Sequence, residues 1–337
     1  GSIDETCVAD SPRRRERARM ISVHLENGRV EVRRTPRPRR SPGFALIRLL
    51  CGGVCNTDLE LQRGYYGYSG VPGHEFVGEV VDCDTPSLKG ARVVGEINLA
   101  CGRCEWCLRG LGRHCPKRTV LGIVKHPGAF REFLTLPEAN LHVLPPSLHT
   151  DVAVFAEPVA AACEILDQVK IPKGEPVAVL GDGKLGLLIA QVLHASGAQV
   201  RQFGKHREKL RIAEAAGVCT EIVKSKPPIA TFQFVVEATG SAAGLEQAVR
   251  MVRPRGVIVM KSTVHGLVSI DTAPVVVNEV TLVGSRCGRF GPALKLLSSG
   301  KVRVDNMISD RFPLSQAPRA FNRAAAKGVL KVLLDPC

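Results

Sequence analysis

Pro176-Val177-Ala178-Val179-Leu180-Gly181-Asp182-Gly183-Lys184-Leu185-Gly186 is the stretch on which the reading of this chain turns. Residues 176–180 are apolar and end at a glycine, the pattern of a buried strand. Gly181, Gly183 and Gly186 then fall in the Gly-x-Gly-x-x-Gly spacing, and an apolar run reads as a helix to residue 196. Between a strand and a helix those glycines have separate tasks. Gly181 permits a tight turn, Gly183 lets backbone approach a diphosphate, and Gly186 allows close helix–strand packing. The helix start offers free N–H groups to phosphate, with Lys184 and Leu185 beside it. A glycine turn in a sheet that binds no nucleotide competes, but the strand–turn–helix setting disfavours it.

Downstream, residues 199–203, 232–236 and 257–260 read as strands, and 206–216 and 244–252 as helices. Strand and helix alternating at this spacing give βαβ units and a doubly wound parallel sheet, an α/β fold. Where the second strand ends, an NAD-binding sheet usually carries an acid for the ribose hydroxyl. Here the chain has Gly204, Lys205, His206 and Arg207. With no carboxylate to repel a 2′-phosphate and two or three cations to attract it, NADP(H) is expected over NAD(H), a basic first turn with no specific role being the competing reading. Gly204→Asp is expected to shift that preference toward NAD. Thr239, just past the strand at 232–236, joins the cofactor-contact candidates.

Upstream the character differs. Residues 20–146 are rich in Val, Gly and Pro, with short apolar runs at 44–50 and 76–81 that read as strands of a β-rich domain. A helix is expected at 158–168, and two more at 292–299 and 314–326. Cys101, Cys104, Cys107 and Cys115 lie within fifteen residues. Four thiolates at that spacing can close a tetrahedron around Zn²⁺ with no open position, which makes a structural site. An iron–sulfur cluster or free thiols compete.

A second constellation is looser. Cys55 precedes Thr57 and Asp58, His74 precedes Glu75, and Glu157 comes much later. Thiolate, imidazole and carboxylate are the mixed ligands of zinc sites that keep a position open. Taken singly, Cys55 reads equally as a buried thiol, His74 as a core histidine and Glu157 as a helix-start residue.

Gly52-Gly-Val-Cys55-Asn-Thr-Asp58, Gly73-His-Glu-Phe-Val-Gly78, the cysteine loop, Glu157-Pro158 and the Gly181 fingerprint occur in one order. In that order the chain resembles the zinc-containing medium-chain dehydrogenase/reductase (alcohol dehydrogenase) family, in its polyol and threonine dehydrogenase branch, from about residue 20 onward. The resemblance implies a GroES-like catalytic domain at 20–157 and 289–337, a Rossmann domain at 158–288 and an N-terminal extension at 1–19. It implies two zinc ions, the catalytic one on Cys55, His74 and a glutamate, Glu75 or Glu157, with Asp58 orienting a ligand. Thr57 would bond the substrate oxygen, and Arg286 would lie near cofactor or substrate. Hydride would pass between a CH–OH carbon and NADP(H), in a homodimer or homotetramer. The chain departs from its relatives at Glu60, where many carry a relay histidine, and in a shortened stretch from Glu79 to Val94. Tyr65, Tyr66 and Tyr68 sit where they could line a substrate pocket or pack a loop.

Composition bounds these readings. The chain has 337 residues and net charge +14, so nucleic-acid binding must be weighed. Residues 1–40 hold eleven basic and six acidic residues, with arginines clustered at 13–19 and 33–40; a solvated face is the commoner meaning. A zinc-stabilised nucleic-acid binder leaves the glycine fingerprint unexplained, so nucleic acid is disfavoured as a partner. A cofactor-binding member without turnover is the other alternative, suggested by Glu60. No apolar run is long enough to span a bilayer. Twelve cysteines with metal spacing and no secretory signal point to a reducing compartment, the cytoplasm or an organelle matrix rather than secretion.

Overall fold

The computed structural model describes residues 19–223, 227–262 and 267–336. Most of the expected extension, residues 1–18 with Arg13, Arg14, Arg15 and Arg17, lies outside the described residues; Arg19 already begins a strand. Arg19–Glu26 and Arg29–Pro36 form an antiparallel hairpin. Its two-residue loop is Asn27-Gly28, both at positive φ, the dipeptide that suits such a turn. Two arginines of the second cluster are paired with acids here. Arg33 bonds Glu26 and Glu31, and Arg40 bonds Asp82 and Asp84.

The main sheet of the first lobe runs in the order Leu141–Val143, Arg92–Gly95, Glu75–Asp82, Phe44–Val54, Lys331–Asp335, Ile308–Pro313, with Phe133–Pro137 also on Phe44–Val54. The chain's last strand thus sits in the middle of its first domain, beside residues almost three hundred positions earlier. Val332 faces Val54, and Gly53 faces both Leu333 and Glu75. Three neighbouring strands therefore end together, at Cys55, at Glu75 and at Lys331. Phe130 is fully buried beneath them. A Cβ on Gly52 would stand 3.0 Å from its ring and one on Gly73 2.5 Å, and the ring meets Phe321 edge-to-face at 6.1 Å.

The second lobe is one parallel sheet in the order Cys219–Ile222, Gln199–Gly204, Pro176–Leu180, Phe232–Glu237, Val252–Met260, Thr281–Gly284. Counted along the chain that order is 3-2-1-4-5-6, and every pairing is parallel. It is the Rossmann arrangement, with its switch point between Pro176–Leu180 and Phe232–Glu237. Val177, Ala178 and Val179 are fully buried, because helices cover both faces of such a sheet. Two strands not anticipated from sequence, Cys219–Ile222 and Thr281–Gly284, are the sheet's edges; both are four residues long and partly exposed, too short and mixed for periodicity to reveal. The helix expected at 314–326 is a 3-10 turn, Leu314–Gln316, followed by Ala317–Ala324. Pro318 at its second position lets the helix begin only there.

Ala156–Gln168 joins the lobes. It packs with Lys184–Ala195 and Phe290–Ser298, and its buried residues Val159, Ala162 and Ile165 share one core with both lobes.

Phe130→Ala should cost about 3–5 kcal/mol through lost burial and the cavity left behind. Differential scanning calorimetry should show a lower melting temperature for the transition of the first lobe; an unchanged trace would mean that the ring is not the keystone of these strand ends.

Candidate active site and metal centres

Cys55, His74 and Glu75 meet because their strands end side by side. Their ligand atoms all lie within 4.8 Å of one another. Asp58 fixes two of the loops that carry them. Its buried carboxylate accepts the Cys55 N–H at 2.8 Å and the Gly73 N–H at 3.2 Å, and lies 3.5 Å from His74 Nδ1. Burial pulls the His74 imidazole down, yet the Asp58 carboxylate and the Cys55 sulfur outweigh it and raise it well above the ordinary histidine value. Thr57 Oγ1 is 3.8 Å from Cys55 Sγ.

Glu75 is buried and faces Lys331, with which it forms an ion pair. Gly53 makes room for it, since a Cβ there would lie 2.6 Å from Glu75 Oε2. The other oxygen, Oε1, is buried with no partner. An unpaired oxygen on a buried carboxylate close to a thiol and an imidazole is costly unless something electropositive completes it. The residues therefore fit a divalent, borderline-soft cation such as zinc. Glu157 is outside this trio. Burial raises its carboxyl, and His74 and Glu75 are close enough to act on it in opposite directions.

The four cysteines expected to form a structural site converge as well, their sulfurs within 4.8 Å of one another. Separations of 3.4 Å (Cys104–Cys107), 3.7 Å (Cys104–Cys115) and 3.9 Å (Cys101–Cys107) exclude disulfides. A tetrahedron with zinc–sulfur arms of about 2.3 Å has edges of about 3.8 Å, so the spacing fits. Backbone N–H groups, chiefly that of Arg103, pull Cys101 down to about 6, while burial and the Cys104 thiol push Cys107 up to about 11. The loop is braced to the joining helix by Arg113 and Glu164, 3.1 Å apart.

In the second lobe each glycine shows its constraint. Gly181 has φ +115°, and a Cβ there would stand 2.5 Å from Ala238 O; one on Gly186 would collide with Gly181 O. A Cβ on Gly183 would meet nothing within 4 Å. Open space over that glycine, at a helix N-terminus and the sheet's switch point, is what an entering diphosphate requires. Thr239 lies across the switch point, its N–H and hydroxyl both donating to Glu237 Oε1 at 2.6 Å. Lys184 reaches out of the turn to Asn56 Oδ1 at 3.0 Å, linking the glycine turn to the loop of Cys55. Burial and the nearby Lys331 bring Lys184 down to about 8.

Several expectations change. The absence of a carboxylate at the end of the second strand is corrected: Asp182, from the glycine turn, places its carboxylate against Lys205 and His206. The Gly204→Asp substitution is therefore not a clean exchange, because a Cβ on Gly204 would stand 2.6 Å from that of Asp182. Arg286 donates to Arg113 O at 2.6 Å and Asn98 Oδ1 at 3.3 Å, both in the first lobe. Tyr68 packs its loop, donating to Val71 O at 2.5 Å, while Tyr66 is largely exposed. Glu60 is paired with Arg63. Lys331 was missed altogether. The available signal was a lone lysine inside the apolar run 329–334.

Comparison with known proteins agrees with this architecture. Residues 41–146 match the model of the alcohol dehydrogenase GroES-like domain, and residues 185–299 that of zinc-binding dehydrogenase. D-altritol 5-dehydrogenase of Agrobacterium fabrum is 31% identical over 89% of this chain and 94% of its own. Sorbitol dehydrogenase of Halalkalibacterium halodurans is 27% identical over 94% and 98%. A Sinorhizobium meliloti structure described as a zinc-binding dehydrogenase and solved with NADP superimposes with TM-score 0.86 at 29% identity, over 94% of this chain and 99% of its own.

Lys331→Met should destabilise the metal-free protein by about 3–5 kcal/mol, because it strands the buried Glu75 carboxylate. Pairing the change with Glu75→Gln should recover much of that loss in thermal melts; equal loss in single and double variants would dissociate the two residues.

Proposed function

The chain belongs to the zinc-containing medium-chain dehydrogenase/reductase family, and from that premise we propose that it oxidises an alcohol or reduces a carbonyl with NADP(H). The observation that carries this reading is the meeting of Cys55, His74 and Glu75 within 4.8 Å, one lysine side chain away from a glycine turn with room for a diphosphate. In this proposal residues 20–157 and 289–337 form the catalytic domain and 158–288 the nucleotide domain. Cys55, His74 and Glu75 hold a catalytic zinc, with Glu157 beside them, and Cys101, Cys104, Cys107 and Cys115 hold a structural one. The bound zinc would polarise the substrate oxygen and the nicotinamide would exchange hydride with the carbon that bears it.

The remaining work falls to the chain. Thr57 hydrogen-bonds the substrate oxygen and hands its proton outward; with Glu60 in place of the relay histidine, no imidazole relay follows at that position. Asp58 keeps His74 and Cys55 in position. Gly181, Gly183, Lys184, Leu185 and Gly186 receive the diphosphate, with Thr239 across the switch point. Lys205, His206 and Arg207 attract the 2′-phosphate and outnumber the one nearby carboxylate, Asp182, which favours NADP(H) over NAD(H). Arg286 fastens the cysteine loop to the nucleotide domain near the cleft. The substrate is a small polyol or related hydroxy compound, by analogy with the sorbitol and D-altritol dehydrogenases that the chain is similar to.

We further propose a homodimer or homotetramer. The exposed Val276 and Val277, with Leu282 on the edge strand Thr281–Gly284, support it. No helix among the described residues is long and apolar enough to cross a membrane. The free thiols suit a reducing compartment such as the cytoplasm or an organelle matrix.

Plasma emission spectrometry should find two zinc ions per chain, and a panel of polyols should reduce NADP with absorbance at the reduced nicotinamide. Cys55→Ala should lose one zinc and nearly all turnover, whereas Cys104→Ala should lose one zinc and thermal stability. A single zinc in the wild type, retained in Cys55→Ala, would end this reading. Lys184 supplies a pH test. Its ammonium is present below about 8 and lost above it, so dinucleotide affinity should fall as pH rises through that value. Lys184→Met should abolish the dependence in fluorescence titrations with NADPH.

A further inference from the structure

The acid missing after the second strand of the Rossmann sheet is supplied from elsewhere in the chain. Asp182 lies between Gly181 and Gly183 and is 7% exposed. Its Oδ2 accepts the backbone N–H of Lys205 and of His206, each at 2.6 Å. The same carboxylate lies 3.1 and 3.3 Å from His206 Nδ1. It fills the space a side chain on Gly204 would need: a Cβ there would stand 2.6 Å from Asp182 Cβ and 2.7 Å from Oδ2. The two positions compete for one volume, so an acid on the turn requires a glycine at the strand end.

The end of that strand is where a doubly wound sheet meets the adenosine ribose. A 2′-phosphate bound there would draw on the backbone N–H groups and the bases that follow. Asp182 already holds two of those N–H groups and one imidazole nitrogen. Arg207, another of the bases, bonds Glu214 at 3.1 Å. A carboxylate set among the donors also opposes a dianionic phosphate by charge, and a ribose hydroxyl much less.

We infer that Asp182 is a specificity-determining residue, a ribose-site carboxylate moved from the strand end to the glycine turn, which restrains the preference for NADP(H) and keeps NAD(H) usable. The inference rests on the dinucleotide reading above. It differs from a bracing role, in which Asp182 would only fix the turn before the helix Arg207–Ala215 and would serve both cofactors alike.

The test is direct binding of NADPH and NADH to the full chain, followed by the fluorescence of the reduced nicotinamide, so no substrate is needed. In Asp182→Ala the ratio of NADH to NADPH dissociation constants should rise by at least about tenfold over wild type, the scale of one charge-assisted hydrogen bond gained by the phosphate. Asp182→Ala/Gly204→Asp returns an acid to the strand end and should bring the ratio below wild type. Gly204→Asp alone should weaken both cofactors. If Asp182→Ala weakens both equally and leaves the ratio unchanged, the residue is a brace and the inference is overturned. Should that variant fail to fold, the near-isosteric Asp182→Asn carries the same comparison: a raised ratio supports the inference and an unchanged one overturns it. A wild type that favours NADH would refute the proposed NADP(H) preference while leaving the Asp182 comparison intact. A wild type that binds neither cofactor would remove both.

Discussion

A carboxylate and an ammonium shut away from water tie the first lobe's sheet to the last strand of the chain. Glu75 and Lys331 are each almost fully buried, and neither would be tolerated there alone. The pair depends on strand register. One residue of slip in Lys331–Asp335 would turn Lys331 to the opposite face and leave Glu75 unpaired. The same register brings Cys55 and His74 within 4.8 Å of the carboxylate. Charge pairing, sheet order and the candidate metal centre are thus one arrangement seen three ways.

The two lobes are coupled through polar contacts at the rim of that arrangement. Lys184 reaches from the glycine turn to Asn56, next to Cys55. Arg113 reaches from the cysteine loop to Glu164 on the joining helix, and Arg286, just past the edge strand of the parallel sheet, returns to Arg113. Beneath them, Ala156–Gln168 contributes to a core shared by both lobes. Contacts of this kind hold the Cys55, His74 and Glu75 cluster and the glycine turn at a fixed separation, and fixed proximity of reacting groups lowers the entropic part of a barrier.

Local sequence carried much of the design. The strand–glycine turn–helix from Pro176 predicted a Rossmann unit, and the sheet order 3-2-1-4-5-6 bears this out. The Cys101–Cys115 spacing predicted sulfurs able to surround one ion, and they lie at tetrahedral distances. Each of these is a short-range pattern, in which backbone geometry links residues a few positions apart. The edge strands Cys219–Ile222 and Thr281–Gly284 left little trace, because a four-residue edge needs neither strict alternation nor a continuous apolar run.

What the sequence by itself determined was therefore the α/β class, the glycine turn and the four-sulfur loop. The tertiary structure alone decided three things. It put Lys331 against Glu75, it brought Glu75 within 4.8 Å of Cys55 as well as His74, and it carried the Asp182 carboxylate into the gap at Gly204. The physical reason is common to all three. Each joins residues far apart in the chain, and their meeting is set by strand register and by which side chain can occupy a shared volume, neither of which is written in any local pattern.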